Sequence, residues 1–197
     1  MTVRELRHLW YADLYRYGPT TPRAYARAIM AEPGYRYAFA LRLVAYARSH
    51  PGPVHRLLAI AARTWLRRLR FRYGVDLPAS TRVGSGLYMN HPNGIVVHSD
   101  AVIGRDCNLS QDVTLGEANR GRNAGFPTVG DGVYIGPGAK IVGAVHVGHN
   151  SAIGANCVVT HDVPPNSVVV GVPGRVISSD GAAGYVNRTD YLPAPGR

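Results

Sequence analysis

Lysine is almost missing from this chain: Lys140 is the only one among 22 basic residues. That skew marks codon usage rather than a binding surface. Acidic residues are also few, 12 in all, so the formal net charge is +10. Such a field attracts nucleic acids, acidic membranes and multiply phosphorylated ligands alike. The arginines concentrate in one segment, without aromatic stacking motifs or a recognisable reading module, which argues against nucleic acid. Cysteine is scarce too. Cys107 and Cys157 stand alone without CxxC spacing, which excludes a disulfide scaffold and predicts two buried thiols. No apolar run approaches the roughly 18 residues of a membrane span. The stretch MTVRELRHLWYADLYRYG carries charges where a signal peptide is apolar, so the expected compartment is the cytoplasm. An apolar fraction of 46% in 197 residues suits one substantial domain with a smaller appendage.

What the chain does have is a period of six. From Val129 an aliphatic residue recurs at every sixth position: Val129, Ile135, Ile141, Val147, Ile153 and Val159. The same register runs upstream through Val97, Ile103, Leu109 and Leu115, and Leu77, Val83, Met89 and Ile95 keep the period with an offset of two. Helices and strands have side-chain periods of about 3.6 and 2, so neither produces this pattern. A triangular solenoid does. Each hexad makes a short strand and a corner, with the aliphatic residue inside and Ala101, Cys107, Ala139, Ser151 or Cys157 beside it. Gly follows the aliphatic residue in most hexads, which suits corner backbone conformations that a Cβ would penalise.

Three regions follow. Residues 1–73 form an α-helical N-terminal region, in which Tyr35, Phe39, Arg42, Leu43 and Tyr46 keep helical spacing. HPGP at 50–53 breaks the pattern before a second helix that ends near Arg72. This second helix mixes six arginines with Leu57, Leu58, Trp65, Leu66, Leu69 and Phe71. General amphipathic behaviour favours packing its apolar stripe on a neighbour with Arg in solvent; peripheral contact with an anionic membrane through 54–72 is the other disposition. Residues 74–177 are the solenoid, interrupted between Leu115 and Val129 by a Gly-rich extruded loop, 117–127, of a length that usually carries function. Residues 178–197 form a polar, Pro/Gly-containing tail that is draped or partly disordered, or that touches a neighbouring subunit.

The solenoid fills its own interior, so its sites lie outside, between coils or subunits. His91 sits beside Pro92 and Gly94 at an expected corner, and Asp76 lies fifteen residues earlier. Residues at that separation approach across adjacent coils, where a carboxylate on one imidazole nitrogen fixes the tautomer and raises basicity. That arrangement suits a general base.

YGVDLP, HPNGIVVHSDAVIG, LSQDVTLG, VGDGVYIGPGAKIVG and VPPNSVVVGVPGRVI, in this order and spacing, resemble the serine acetyltransferase family of hexapeptide transferases over about residues 35–177. The resemblance implies a left-handed parallel β-helix, mainly β, behind a small helical region. It also implies a homotrimer or a pair of trimers with sites at subunit boundaries, acetyl-CoA as co-substrate and no metal. It places His91 on the family's catalytic base and Asp76 on the aspartate that supports it. The oxyanion falls near backbone N–H groups at Gly116, and CoA along Gly136, Ala155, Thr160, His161 and Arg175. The family's acceptor-binding Asp, Arg and His correspond here to Asn90, Gly125 and Phe126. Losing those charges removes the obvious partners of serine's ammonium and carboxylate. Another hydroxylated metabolite or sugar is then the acceptor, or serine is held by Arg120, Arg122 or Asn123 of the loop. Two other readings remain: a zinc hydratase of the γ-carbonic anhydrase type, with His146, His149 and His161 as its loose candidate ligands, and a non-catalytic scaffold.

Overall fold

The computed structural model describes residues 1–191. Thr2 and Glu5 exchange side-chain and backbone hydrogen bonds in a capping box that starts α1 (Val3–Tyr15). Thr21 caps α2 (Pro22–Ala31), with Pro22 in the first turn, where no backbone N–H is needed. In α3 (Pro33–Arg48), Tyr35, Tyr37, Ala38, Leu41 and Val44 are buried around more than one face, so this helix runs through the middle of the helical region. α4 (Pro53–Tyr73) stops at Gly74, whose φ of 62° is the left-handed cap that terminates a helix cheaply only with glycine.

From Val75 the chain winds as a left-handed β-helix with three faces. Face A stacks Val75–Asp76, Ile95–Val97, Thr114–Gly116, Lys140–Val142 and Val158–Val159. Face B stacks Arg82–Val83, Val102–Ile103, Thr128–Val129 and His146–Val147. Face C stacks Asn108–Leu109, Tyr134–Ile135, Ala152–Ile153 and Val168–Val170, and Arg175–Ser178 returns antiparallel along the last of these. The aliphatic ladder points inward: Leu77, Met89, Val97, Ile103, Leu109, Leu115, Val129, Ile135, Ile141, Val147, Ile153 and Val159 are all buried, with Val83 partly so. Cys107 and Cys157 are buried in the same prism, and burial pushes the Cys107 thiol up to about 12. Neither is a nucleophile at neutral pH.

Register shows where the solenoid departs from itself. Ile135 opposes Ile153, 18 residues on, which is one regular coil. Val75 opposes Ile95 and Tyr88 opposes Asn108, both 20 residues on, whereas Val97 already opposes Leu115 at 18. Two extra residues therefore sit between Tyr88 and Ile95, at the corner that holds His91. Leu115 opposes Ile141, 26 residues on, so eight extra residues form the extruded loop. Its stem is closed by mutual backbone hydrogen bonds between Ala118 and Gly125.

The glycine rule needs a correction. A Cβ on Gly104 would meet the Gly130 carbonyl carbon at 2.5 Å, and one on Gly136 would meet the Ile153 carbonyl oxygen at 2.8 Å. These glycines are required because successive coils touch backbone to backbone there. The left-handed corner lies two residues further on, occupied by Gly138 (φ 72°), Asp106, Asn150 or Asn156.

Buried arginines fasten the helices to the coils. Arg42 of α3 pairs with the fully buried Asp13 of α1 at 3.0 Å and donates to the carbonyls of Val83 (2.6 Å) and Gly84 (2.5 Å), while Asp13 accepts from Leu87 N–H (2.9 Å). Arg16 donates to Gly86 O, Asn108 Oδ1 and Asn187 O. The described part of the tail packs on its own chain: Arg188 donates to Tyr15 O and Gly18 O, and Tyr191 bonds Ser85. Residues 192–197 of the expected tail lie outside the described residues.

Candidate active site

His91 occupies the inserted corner between faces C and A and is exposed. The corner rests on the turn below it, since Gly74 faces Asn93 Oδ1 at the 2.9 Å a Cβ would reach, and Asp112 N–H ties it to the coil above through Asn93 O (2.7 Å). Asp76 lies one coil below on face A, in register with Val96. Its carboxylate pairs with Arg70 at 2.5 Å, and among the described residues it has no hydrogen bond to His91. The structure thus puts base and carboxylate candidates on neighbouring coils without joining them.

The candidate CoA residues divide between the two edges of face A. Gly136 and Ala155 continue the His91 edge upward, a Cβ on Gly136 lying 3.0 Å from Ala155 N. The turn before Arg175 caps this edge: Val158 N–H donates to Gly171 O (3.1 Å) and Gly174 N–H to Val158 O (2.8 Å). Arg175 is exposed beyond it. Gly116, Thr160 and His161 line the opposite edge, between faces A and B, where the extruded loop leaves the solenoid. Asn123 reaches from that loop to donate to Thr160 O (2.7 Å).

The loop edge holds a cluster absent from the sequence reading. Phe126 stacks on His98, ring centroids 4.3 Å apart and 16° from parallel. Asp100 N–H donates to His98 Nδ1 (3.2 Å), so the neutral ring carries its proton on Nε2, which faces Glu117 at 3.8 Å. The imidazole, phenyl and carboxylate meet where the coil and the base of the loop converge. Arg120 and Arg122 are exposed on the same loop, while Asn90 precedes His91 on the far edge, with Tyr88 Oη donating to its Oδ1 (3.3 Å). One strand of three residues, Ile95–Val97, separates the edges, a span of about 10 Å. One copy of the chain therefore does not bring His91 together with Phe126, Arg120 and Arg122.

Within one copy, no three His, Cys, Asp or Glu side chains among the described residues are grouped to hold a metal, and His146, His149 and His161 are not brought together. No helix of the described residues is long and apolar enough to cross a membrane.

A hexapeptide β-helix with an exposed histidine corner and an extruded glycine-rich loop defines a class, the hexapeptide transferases. Residues 126–161 match the family model "Bacterial transferase hexapeptide (six repeats)". A serine acetyltransferase of Mycobacterium tuberculosis is 44% identical over 122 residues, 62% of this chain and 52% of that one. A solved soybean serine acetyltransferase complexed with serine superposes with a TM-score of 0.73 at 30% identity, covering 88% of this chain and 70% of its own. A serine acetyltransferase in complex with CoA gives 0.72 at 28% identity, covering 89% and 71%. The chain belongs to the serine acetyltransferase family, although it spans only about half the length of the Mycobacterium relative.

Proposed function

We propose that this chain transfers an acetyl group from acetyl-CoA to an acceptor hydroxyl, with His91 as general base. The observation that carries the reading is the two-residue insertion at the corner that holds His91, one coil above Asp76 of face A. An imidazole nitrogen of His91 takes the hydroxyl proton as the oxygen attacks the thioester carbonyl carbon. The tetrahedral oxyanion is met by backbone N–H groups near Gly116 of the neighbouring copy. The C–S bond then breaks, and the imidazolium returns its proton to the thiolate, giving the acetyl ester and free CoA thiol. Asp76 supports the imidazolium once its side chain turns from Arg70. Gly136 and Ala155 of one copy and Thr160 and His161 of the next hold the CoA arm, and Arg175 pairs with a CoA phosphate.

The separation of His91 from the loop edge supports a homotrimer, or a pair of trimers, in which the loop of one copy faces the histidine corner of the next. The solved relatives include one titled as a complex with serine, which supports serine as acceptor. The residues on the loop edge favour a different acceptor: Asn90, Gly125 and Phe126 offer no charge to an amino acid, and Phe126 with His98 and Glu117 presents an aromatic surface beside a carboxylate. That chemistry suits a hydroxylated metabolite or sugar without a free carboxylate. A donor made and used in the cytoplasm places the reaction there. The test is release of CoA thiol from acetyl-CoA with L-serine and with a panel of sugars and amino acid derivatives, for wild type and His91→Ala. Acceptor-dependent release that vanishes in the variant is expected. Binding of acetyl-CoA no better than buffer, with no release, would leave the scaffold reading in its place.

A further inference from the structure

Helix α4 has two apolar faces, and only one of them is covered. Ala62, Leu66 and Leu69 are buried in the core shared with α3. On the opposite side Leu57, Ile60 and Phe71 recur at helical spacing and are 69%, 63% and 73% exposed. Four of the eleven exposed large apolar side chains among the described residues lie on this one helix, so the stripe is not ordinary surface scatter.

The charge beside the stripe is of one sign. Arg63, Arg67 and Arg68 flank it, α4 contains no acidic residue, and Arg67 leans over the Phe71 ring at 5.8 Å. Among the described residues Arg70 is the only α4 arginine with a carboxylate partner, Asp76. A groove of about 650 Å³ between α4 and the first coil is lined by Ile60 and Phe71 of the stripe; Arg48 adds a guanidinium to its wall, and its one carboxylate, Asp76, is paired with Arg70. Whatever covers this face must be apolar at its centre and anionic at its margins. A two-fold contact through α4 would oppose arginine to arginine, which disfavours a second copy related in that way.

We propose that the outer face of α4 lies on a membrane containing acidic phospholipids, with Leu57, Ile60 and Phe71 among the acyl chains and the flanking arginines on the phosphates. This places the molecule at a lipid surface without inserting it across one. The proposal is independent of the acetyl transfer at His91.

Sedimentation of the full chain with phosphatidylcholine vesicles, with and without phosphatidylglycerol, tests it. Binding is expected only with phosphatidylglycerol, weakening as salt is raised. The triple variant Leu57→Ser/Ile60→Ser/Phe71→Ser changes only exposed positions; it is expected to keep the wild-type circular dichroism and to lose roughly tenfold or more of its vesicle partitioning. Arg67→Gln/Arg68→Gln is expected to lose a similar factor. Three outcomes overturn the proposal: no binding of wild type to the acidic vesicles, equal binding of the triple variant, or a change of oligomeric mass in that variant. The last would identify the face as a contact between subunits. Wild type that ignores vesicles but binds a soluble polyacidic peptide would instead point to an acidic protein partner.

Discussion

The two edges of face A depart from the regular coil in different ways. The His91 edge gains two residues and the loop edge gains eight, the latter carrying Gly125 and Phe126 at its end. The first insertion re-aims one side chain while the ladder on either side stays in step. The second builds a new surface and recruits His98 and Glu117 from the coil and loop base to furnish it. If the proposed roles hold, reaction chemistry and acceptor recognition sit on separate edges, so one can change while the other is kept.

The sharpest way to break this comparison is His91→Ala, which should cut acetyl transfer by about 10²–10⁴-fold while leaving the melting temperature unchanged. A smaller loss in thiol release would move the base elsewhere. Asp13→Ala tests the frame beneath both edges. It leaves the Arg42 guanidinium buried without its partner and should cost about 3–5 kcal/mol in denaturant titration. A loss under about 1 kcal/mol would mean the carbonyls of Val83 and Gly84 suffice for Arg42. On the loop edge, Phe126→His should shift the ratio of kcat/KM for L-serine against neutral hydroxylated acceptors roughly tenfold towards serine; an unchanged ratio would remove Phe126 from acceptor selection.

The third edge, between faces B and C, supplies the smallest effect. Burial alone would raise the Asp131 carboxyl, but the Arg105 backbone N–H and guanidinium outweigh it and hold it below the usual carboxylate range. A depressed folded value stabilises above the unfolded pKa and is lost as pH falls through the folded one. Arg105→Met should therefore cost less than about 1 kcal/mol near neutrality, and the difference from wild type should shrink in acid. A difference that grows on acidification would reverse the assignment.

The ladder from Val129 to Val159 made the solenoid legible because a period of six has one physical solution, and the offset of two at Leu77–Met89 already marked the His91 corner. The reason for the glycines was not legible: a one-dimensional pattern does not distinguish the crowding at Gly104 and Gly136 from the left-handed backbone at Gly138. The His98, Glu117 and Phe126 cluster also escaped, since three residues brought together by a loop have no common spacing. One signal was available. After Val97 the ladder places an imidazole where Gly104, Gly130, Gly136, Gly148 and Gly154 stand in other hexads. The expected joining of Asp76 to His91 depends on a side-chain rotation, and Arg70, which takes the carboxylate here, lies in a helix whose packing no hexad reports. That same helix keeps a second exposed apolar stripe, because the arginines mask the face on which Leu57 and Phe71 fall.

Ten residues, eight more than a regular corner holds, leave the solenoid after Gly116 and return at Pro127 with the strands above and below still paired in register. The loop is in effect a cassette: its ends are fixed by the coils, and its contents are not. Exchange of this segment for a foreign hairpin of the same stem would then test new acceptors on an unaltered His91 edge, making the molecule a chassis for directed selection.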